Sequence, residues 1–175
     1  VHCRDAYDDM VEIFKEFKGE VIMAVDFFCE DVERPRVKYI ALKNWIKSVI
    51  ESHKKKVGKI AYVFCSDEFL LNMNKEYLKH DYYTDVITFD NTEDEKGKIS
   101  GEIYISVDRV AENAKTYNTE DTEIFRVIIH AILHLLGYDD KTPEEQEKMR
   151  AMEDKCLAMP EFANCKWLKD SKVKE

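Results

Sequence analysis

Apolar residues along this chain recur in two patterns, short runs of strand length and longer segments with helical spacing. Four segments have the strand pattern: 24–29, 60–65, 85–89 and 102–107. Helical spacing covers five segments: 39–53, 66–77, 108–116, 120–136 and 142–157. The continuous run at 60–65 predicts a central strand, whereas the strict alternation at 102–107 predicts a strand with one exposed face. Together these elements predict an α/β or α+β layer.

Two local signals predict where helices begin and end. Thr142, Pro143 and Glu145 form the pattern of a capping residue, a proline at the first helical position and a reciprocal glutamate. We therefore expect a helix to begin there. Gly58 is predicted to end the helix that begins at residue 39.

The length of the chain suits one domain. A chain of 175 residues with 45% hydrophobic residues can bury a sizeable core. We assign the domain to residues 23–157. Residues 1–22 are acidic and amphipathic and are expected to form an N-terminal extension with the pattern of a short helix. Residues 158–175 are expected to form a loosely held, lysine-rich C-terminal tail.

The cysteines and the N-terminus both indicate a cytoplasmic protein. The five cysteines are odd in number and form no CxxC pair, which disfavours a disulfide framework and indicates reduced thiols. Acidic residues occupy the positions where a signal peptide would be basic and then apolar. The longest apolar run, near 127–136, contains two histidines and is too short to span a membrane. We therefore expect no membrane partner, and we expect Cys29 and Cys65 to be core residues.

Charge is unevenly distributed along the chain. The formal net charge is −9, which disfavours broad, non-specific binding to nucleic acid. The segment 34–59 nevertheless holds nine basic side chains and one acidic side chain, and could present a basic face to phosphate. The candidate contacts to a nucleic-acid backbone are Arg34, Arg36, Lys54, Lys55 and Lys56. The alternative is a solvated helix face whose final lysines offset the negative end of the helix dipole.

The stretch from His130 to Asp140 has the pattern of a metal site. His130 and His134 are one helical turn apart, so both imidazoles lie on one face at a separation that suits one ion. Gly137 can adopt a left-handed conformation, end the helix and turn the chain back. Asp139 or Asp140 would then supply a third ligand, and three protein ligands plus water are typical of catalytic zinc. The alternative is a pair of hydrogen-bonded histidines in an apolar core.

The residue after the first histidine limits the chemistry. In an H-E-x-x-H peptidase that position holds the glutamate that acts as general base, and here it is Ala131. A metal ion still lowers the pKa of bound water, which would permit attack on a phosphodiester. A carboxylate as third ligand is harder than imidazole and widens the range of metals tolerated. The pattern therefore disfavours peptide hydrolysis and leaves phosphodiester hydrolysis open.

Three stretches of sequence, in order, carry a family resemblance. Residues 130–140 are similar to the signature H-G-x-L-H-L-x-G-Y-D-H. Residues 71–72 and 84–89 are similar to an L-N pair followed by T-D-V-L-S-F, and residues 101–106 are similar to the strand G-[DE]-I-x-I-S. These are motifs of the YbeY family, the bacterial endoribonucleases of rRNA maturation, which the chain resembles over about residues 23–157.

The resemblance implies a fold, a cofactor and partners. It implies a single α+β domain in which helices pack on a central, roughly four-stranded mixed sheet, with a metal site at the end of the histidine helix. It implies one zinc ion per chain held by His130, His134 and Asp140, the last in place of a third histidine. The implied activity is cleavage of single-stranded RNA during small-subunit rRNA maturation and ribosome quality control. The implied partners are rRNA, the small ribosomal subunit, ribosomal proteins and an Era-like GTPase.

One position departs from the family pattern. The family places an arginine, expected to stabilise phosphate charge, six residues before the T-D-V motif, and this chain has Leu78 there. Lys79 and His80 are candidate catalytic replacements, and Lys75 is a third. The alternative is that the two lysines are surface residues and the histidine is a loop residue.

Two carboxylates are further candidates. Asp85 precedes a strand and could either buttress a loop or orient a ligand histidine through a hydrogen bond. Glu102 is a second candidate carboxylate. The alternative for either residue is a position at the exposed end of a strand, and we assign neither as a general base.

Two other functions stay open at this point. A missing arginine, an aspartate ligand and a negative net charge all fit a non-catalytic ribosome-assembly factor with a structural metal site. Such a factor would bind RNA with a steep salt dependence and would not cleave it. A metallohydrolase of peptides or small molecules is the other alternative, and Ala131 disfavours its peptidase form. Of the three, the sequence favours the endoribonuclease.

Overall fold

The described part of the chain comprises residues 24–93 and 97–165 of a computed structural model. Its elements in chain order are β1 Val25–Cys29, α1 Tyr39–Ser52, β2 Lys56–Cys65, α2 Asp67–Leu78, β3 Val86–Asp90, β4 Lys98–Ser106, α3 Val107–Tyr117, α4 Glu123–Leu135, α5 Pro143–Leu157 and a short 3-10 helix Pro160–Asn164. The expected N-terminal extension, 1–22, and most of the expected tail, 166–175, lie outside the described residues.

The four strands form one mixed sheet in the order β1-β2-β4-β3. Strands β1, β2 and β4 are parallel, and β3 pairs antiparallel with β4. Parallel neighbours need crossover connections, which α1 supplies between β1 and β2. The single α+β domain with a four-stranded mixed sheet, expected from the resemblance, is confirmed.

One face of the sheet is covered by α1 and α4. The rings of Trp45 on α1, Phe125 on α4 and Tyr62 on β2 are fully buried in one apolar cluster. Trp45 donates its indole N–H to the carbonyl of Cys156 at 2.9 Å, and the Tyr62 hydroxyl donates to the carbonyl of Ile128 at 2.8 Å. Because these rings bury apolar area and also satisfy their polar atoms, they fix α4 firmly against the sheet.

The other face of the sheet is covered by α2, so the expectation of an exposed strand face was wrong. Leu70 and Met73 of α2 pack with Ile87 of β3 and Tyr104 of β4 in a second apolar cluster. Every residue of 101–106 is buried, because β4 is an interior strand covered on both sides. The alternation in this strand reflects buried polar side chains.

Glu102 is one of those buried polar side chains, and it does not lie at an exposed strand end. Its residue is 5% exposed, and the Tyr104 hydroxyl donates to its Oε2 atom at 3.4 Å. Burial raises the pKa of Glu102 from 4.5 to about 7, although the hydrogen bond from Tyr104 opposes this rise. The folded state therefore holds this proton more tightly than the unfolded state. The free energy of unfolding should accordingly fall as the pH rises from about 4.5 to about 7.

Replacing Glu102 by glutamine is expected to remove this contribution to the pH dependence. The amide keeps the size of the side chain and carries no charge at any pH. We expect Glu102→Gln to raise the free energy of unfolding by up to about 3 kcal/mol at pH 8 and to change it little at pH 5. Urea unfolding of both proteins at the two pH values measures the difference. Equal effects at pH 5 and pH 8 would contradict the raised pKa.

The prediction that Gly58 ends α1 was wrong. The helix ends at Ser52, and Gly58 lies inside β2. A Cβ atom at this position would meet the Ser100 hydroxyl and would lie 2.7 Å from the carbonyl oxygen of Ile99. Glycine is therefore required here by the close approach of β4, which only tertiary structure reveals.

The predicted start of α5 is confirmed. The Thr142 hydroxyl accepts the backbone N–H of Glu145 at 3.2 Å, and the Glu145 carboxylate accepts the backbone N–H of Thr142 at 3.1 Å. Pro143 occupies the first turn. This reciprocal capping box fixes where the chain enters α5 after the histidine helix.

Residues 158–165, assigned to the tail from the sequence, pack on the core. The Phe162 ring lies 4.8 Å from Trp45 and 5.2 Å from Phe125, measured between centroids. Cys165 is fully buried. This part of the expected tail is therefore attached to the larger apolar cluster.

The structure shows the state of the described cysteines and the character of the described helices. The four described cysteines are free thiols, of which Cys65 is buried and Cys29 is half-buried against the core. Burial raises the pKa of Cys65 to about 12, so this thiol is not a reactive thiolate at neutral pH. Within 24–93 and 97–165, no helix has the length and apolar character needed to cross a membrane.

Candidate metal centre

Helix α4 places two histidines side by side. His130 and His134 are half-buried, with 22% and 27% of their side chains exposed, on a helix whose other residues are mostly buried. Their Nε2 atoms lie 3.0 Å apart, and their ring planes are inclined by 83°. Because the apolar residues fix the rotation of α4 on the sheet, both imidazoles face the cleft beside β3.

The turn after α4 brings a carboxylate to these histidines. Gly137 has a φ of +102°, and open space surrounds the position of a Cβ, so its backbone conformation is what favours glycine. The N–H groups of Gly137 and Tyr138 bond back to the carbonyls of His134 and Leu133, each at 3.0 Å. Two residues further on, the Oδ2 atom of Asp140 lies 3.3 Å from the Nε2 atom of each histidine.

These three donor atoms have the spacing of ligands around one small cation. One ligand atom each from His130, His134 and Asp140 lies within 4.8 Å of the other two. Around tetrahedral zinc, with bonds of roughly 2.0–2.1 Å, neighbouring ligand atoms are about 3.3 Å apart. Two imidazoles and one carboxylate also form a donor set that suits divalent ions of this kind. Asp139, the other candidate from the sequence, is exposed and lies outside this group.

Hydrogen bonds on both sides hold the loop that carries Asp140. His53, at the end of α1, accepts the Tyr138 hydroxyl at Nε2 over 3.0 Å, since its Nδ1 faces the carbonyl of Val49 at 2.8 Å. The Gln146 side chain donates to the carbonyl of Asp140 at 3.0 Å. The position of the carboxylate is thus set by α1, α4 and α5 together, which lowers the entropy cost of ordering it around a ligand.

A buried carboxylate behind the site orients His130. The side chain of Glu153, on α5, is 7% exposed, and its Oε2 atom accepts the Nδ1–H of His130 at 2.9 Å. Arg126 lies one turn before His130 and donates to Glu153 at 3.0 Å and to Asp154 at 2.7 Å. Because the bond to Glu153 places a proton on Nδ1, the neutral form of His130 has its lone pair on Nε2, the ring atom that faces Asp140 and the one that a metal ion would bind.

Electrostatic interactions favour the charged form of Glu153 and raise the pKa of His130. Burial alone would raise the pKa of Glu153, but the hydrogen bonds and charges of His130 and Arg126 outweigh burial and lower it. Burial alone would lower the pKa of His130, yet Glu153 and the nearby Asp140 raise it. Glu153 is therefore an anion that favours positive charge at the adjacent histidine.

Neither Glu153 nor Arg126 was identified from the sequence. Arg126 precedes His130 by the same four residues that separate His130 from His134, so helical periodicity places it on the same face. That signal was available. Glu153 offered none, because its role depends on how α5 packs against α4.

Asp85 lies beside the site, but Glu153 and not Asp85 accepts the Nδ1–H of His130. The Nδ1 atom of His130 is bonded to Glu153, so the orienting role belongs to that residue. Burial raises the pKa of Asp85, while the charge of His130 opposes this rise. Asp85 lines both clefts that adjoin the histidines. It is therefore a carboxylate close to any substrate bound there.

Two clefts meet at His130 and Asp140. The larger, with a volume of about 430 Å³, lies beside β3 and the loop after α2 and includes His130, His134 and Asp140. The smaller, of about 340 Å³, lies between α4 and α5 and includes His130, Asp140 and Arg150. Both volumes are in the range of ligand-binding clefts. An extended substrate can therefore approach the donor atoms from two sides.

The candidate replacements for the family arginine lie in different places. Leu78 and His80 line the larger cleft, whereas Lys79 and Lys75 do not. Lys79 is the left-handed residue that ends α2, and Lys75 forms an ion pair with Asp81 at 3.3 Å. Of the two catalytic candidates from the sequence, the structure brings only His80 near the metal ligands.

The five candidate RNA contacts lie at the two ends of α1. Arg34 and Arg36 precede the helix, and Lys54, Lys55 and Lys56 follow it. A helix of 14 residues separates the two groups by about 21 Å. Neither cleft is lined by any of the five. Any contact they make with RNA would be made outside the clefts.

Comparison with known proteins finds relatives over most of the chain. Residues 28–160 match the family model described as endoribonuclease YbeY. The endoribonuclease YbeY of Parabacteroides distasonis is 50% identical over 138 residues, which cover 78% of this chain and 96% of that protein. The endoribonuclease YbeY of Cytophaga hutchinsonii is 47% identical over 137 residues, covering 78% of this chain and 95% of its own length.

A solved structure shares the fold. The solution structure of a protein from Thermotoga maritima superposes with a TM-score of 0.51 at 26% sequence identity. The match covers 76% of this chain and 89% of the other. The arrangement of helices and strands that carries the donor atoms is therefore shared with a structure determined by experiment.

Proposed function

This chain belongs to the YbeY endoribonuclease family, and on that premise we propose that it is a metal-dependent endoribonuclease that cleaves single-stranded RNA in small-subunit rRNA maturation and ribosome quality control. The observation that carries the metal dependence is the convergence of His130, His134 and Asp140 within 4.8 Å at the junction of two open clefts. A buried pair of core histidines would have neither the carboxylate nor the access.

We propose that these three side chains hold one Zn²⁺ ion. When bound, the ion would lower the pKa of a coordinated water and offset phosphate charge. The protein prepares this position through Glu153, which fixes the tautomer of His130, and through the loop bonds that hold Asp140. An aspartate ligand adds negative charge, so the site should also accept other divalent ions.

Few basic side chains line the two clefts, so few are available to contact a phosphate. Among the lining residues of either cleft that fall within 24–93 and 97–165, Arg126 and Arg150 are the arginines, and there are no lysines. Arg126 is held by Glu153 and Asp154, whereas Arg150 is exposed. Arg150 is therefore the guanidinium best placed to contact a phosphate, in place of the family arginine that Leu78 replaces in this chain.

The basic residues at the two ends of α1 would act over a longer range. Arg34, Arg36, Lys54, Lys55 and Lys56 lie outside both clefts, so we propose that they steer the RNA backbone and do not take part in chemistry. From the family we propose rRNA, the small ribosomal subunit, ribosomal proteins and an Era-like GTPase as partners. The cytoplasm, where ribosomes assemble, is the proposed location.

Two neighbouring aspartates allow a matched test of this function. We expect the wild-type protein to bind one zinc ion and to cut single-stranded RNA. Asp140→Ala should weaken zinc binding by about 100-fold or more and abolish cleavage, because it removes one of three ligands. Asp139→Ala changes an exposed side chain outside the ligand group and should behave as wild type. Metal analysis after dialysis and cleavage of a labelled oligoribonucleotide are the measurements.

The result also decides between the proposed function and its alternative. Wild-type activity in Asp140→Ala, or equal losses in both variants, would contradict the proposed ligand set. Zinc binding and salt-dependent RNA binding without cleavage would favour the non-catalytic assembly factor. The observation that favours this alternative is Leu78, which lines the larger cleft where the family has an arginine.

A further inference from the structure

The loop after α2 presents an aromatic side chain beside the metal position. Tyr82 is 56% exposed and lines the same cleft as His130 and His134. Its ring stacks on that of His80, with centroids 5.2 Å apart and planes inclined by 20°. The Tyr82 hydroxyl also lies 3.0 Å from the Nδ1 atom of His80. One face of the tyrosine ring is thus supported, and much of the side chain stays open to solvent.

A buried asparagine fixes both members of this aromatic pair. Asn74, on α2, is 1% exposed, and its side-chain amide donates to the carbonyl of Tyr82 at 2.9 Å. The backbone carbonyl of the same asparagine accepts the N–H of His80 at 3.0 Å. Because one buried residue holds the loop at two points, through its side chain and its backbone carbonyl, the rings are arranged before any ligand binds, which reduces the entropy cost of binding.

The adjacent tyrosine has a different environment. The Tyr83 hydroxyl donates to Glu68 at 2.6 Å, and the guanidinium of Arg109 lies 4.8 Å from its ring centroid. Tyr83 does not line either cleft that adjoins the histidines. The Tyr83 side chain contacts residues of α2 and α3 and not the clefts. Tyr83 is therefore a control that matches Tyr82 in residue type, position and exposure.

We propose that Tyr82, supported by His80, is a stacking platform for one unpaired nucleobase of the RNA strand that crosses the metal position. The proposal rests on the proposed function and adds a base-binding subsite to it. An unpaired base can leave its neighbours and place a free face on an aromatic ring, whereas a base within a duplex is stacked on both sides. The platform would therefore contribute to the preference for single strands. His80 becomes a positioning residue, which replaces the catalytic role considered from the sequence.

Abasic substrates allow the platform to be tested directly. A set of identical single-stranded oligoribonucleotides would each carry one abasic ribose, placed in turn at every position around the cleaved bond. For wild type we expect one position at which loss of the base lowers kcat/KM by about 10-fold or more. Tyr82→Leu removes the aromatic face but keeps apolar bulk, so it should lose that dependence at the same position. Tyr83→Leu should keep it.

Two further variants separate stacking from the hydroxyl contact. Tyr82→Phe and Tyr82→Trp retain an aromatic face and should keep the dependence on the base, although the phenylalanine lacks the bond to His80. If Tyr82→Leu retains the wild-type dependence at every position, the platform is overturned while the endoribonuclease stands. If the wild-type protein cuts no single-stranded RNA, the proposed function and the subsite that rests on it are both overturned.

Discussion

Replacing His134 by alanine is expected to abolish metal binding and RNA cleavage together. The substitution leaves His130 and Asp140 as the two remaining donors, and two protein ligands hold zinc far more weakly than three. We expect kcat/KM for a single-stranded oligoribonucleotide to fall by at least about 1,000-fold, because the proposed ion would activate the water nucleophile and stabilise negative charge on the phosphate. Metal analysis and cleavage rates measure the two losses.

The fold should survive this substitution. His134 is only half-buried, and alanine is the best helix former, so α4 should persist. Thermal unfolding supplies the control, since a ligand that binds only the folded state raises the melting temperature. Zinc should raise the melting temperature of chelator-treated wild type and restore its activity, and it should do neither for His134→Ala. Zinc-dependent cleavage by the variant at the wild-type rate would contradict the proposed centre.

Spacing within one helix was enough to predict most of this centre. His130 and His134 share a face because four residues nearly complete a turn, and this holds whatever α4 packs against. The choice between Asp139 and Asp140 was beyond such reasoning. It depends on the direction in which the chain leaves Gly137, and that direction is set by bonds to His53 and Gln146 from two other helices.

The errors about the sheet have a similar cause. The alternation at 102–107 is the pattern of a half-exposed strand, and nothing within the strand shows that α2 covers its second face. Gly58 has the appearance of a helix terminator, but it is required because β4 approaches it closely. Local pattern predicts element type well, whereas burial is decided by neighbours that are distant in sequence.

Glu153 also takes its role from a neighbour that is distant in sequence, since it lies on α5 and bonds to His130 on α4. Its replacement by glutamine is the second substitution from which we expect a large effect. The amide keeps the size of the side chain but leaves Arg126 beside a neutral group in a largely buried position. Breaking a buried ion pair in this way typically costs about 3–5 kcal/mol of stability. The weaker bond to His130 should also lower metal affinity by about 10–100-fold. Urea unfolding of the chelated protein and zinc titration measure these effects separately.

The neighbouring Asp154 distinguishes orientation of the histidine from simple loss of a charge. Asp154 also accepts a hydrogen bond from Arg126, at 2.7 Å, but its side chain is 59% exposed. Unlike Glu153, it contacts Arg126 and not His130. Asp154→Asn should therefore cost less than about 1 kcal/mol and leave zinc affinity unchanged. If both variants weaken zinc binding equally, the charge near Arg126 is what matters. If only Glu153→Gln weakens it, the hydrogen bond to Nδ1 of His130 is part of the metal centre, and the centre extends to a residue on another helix.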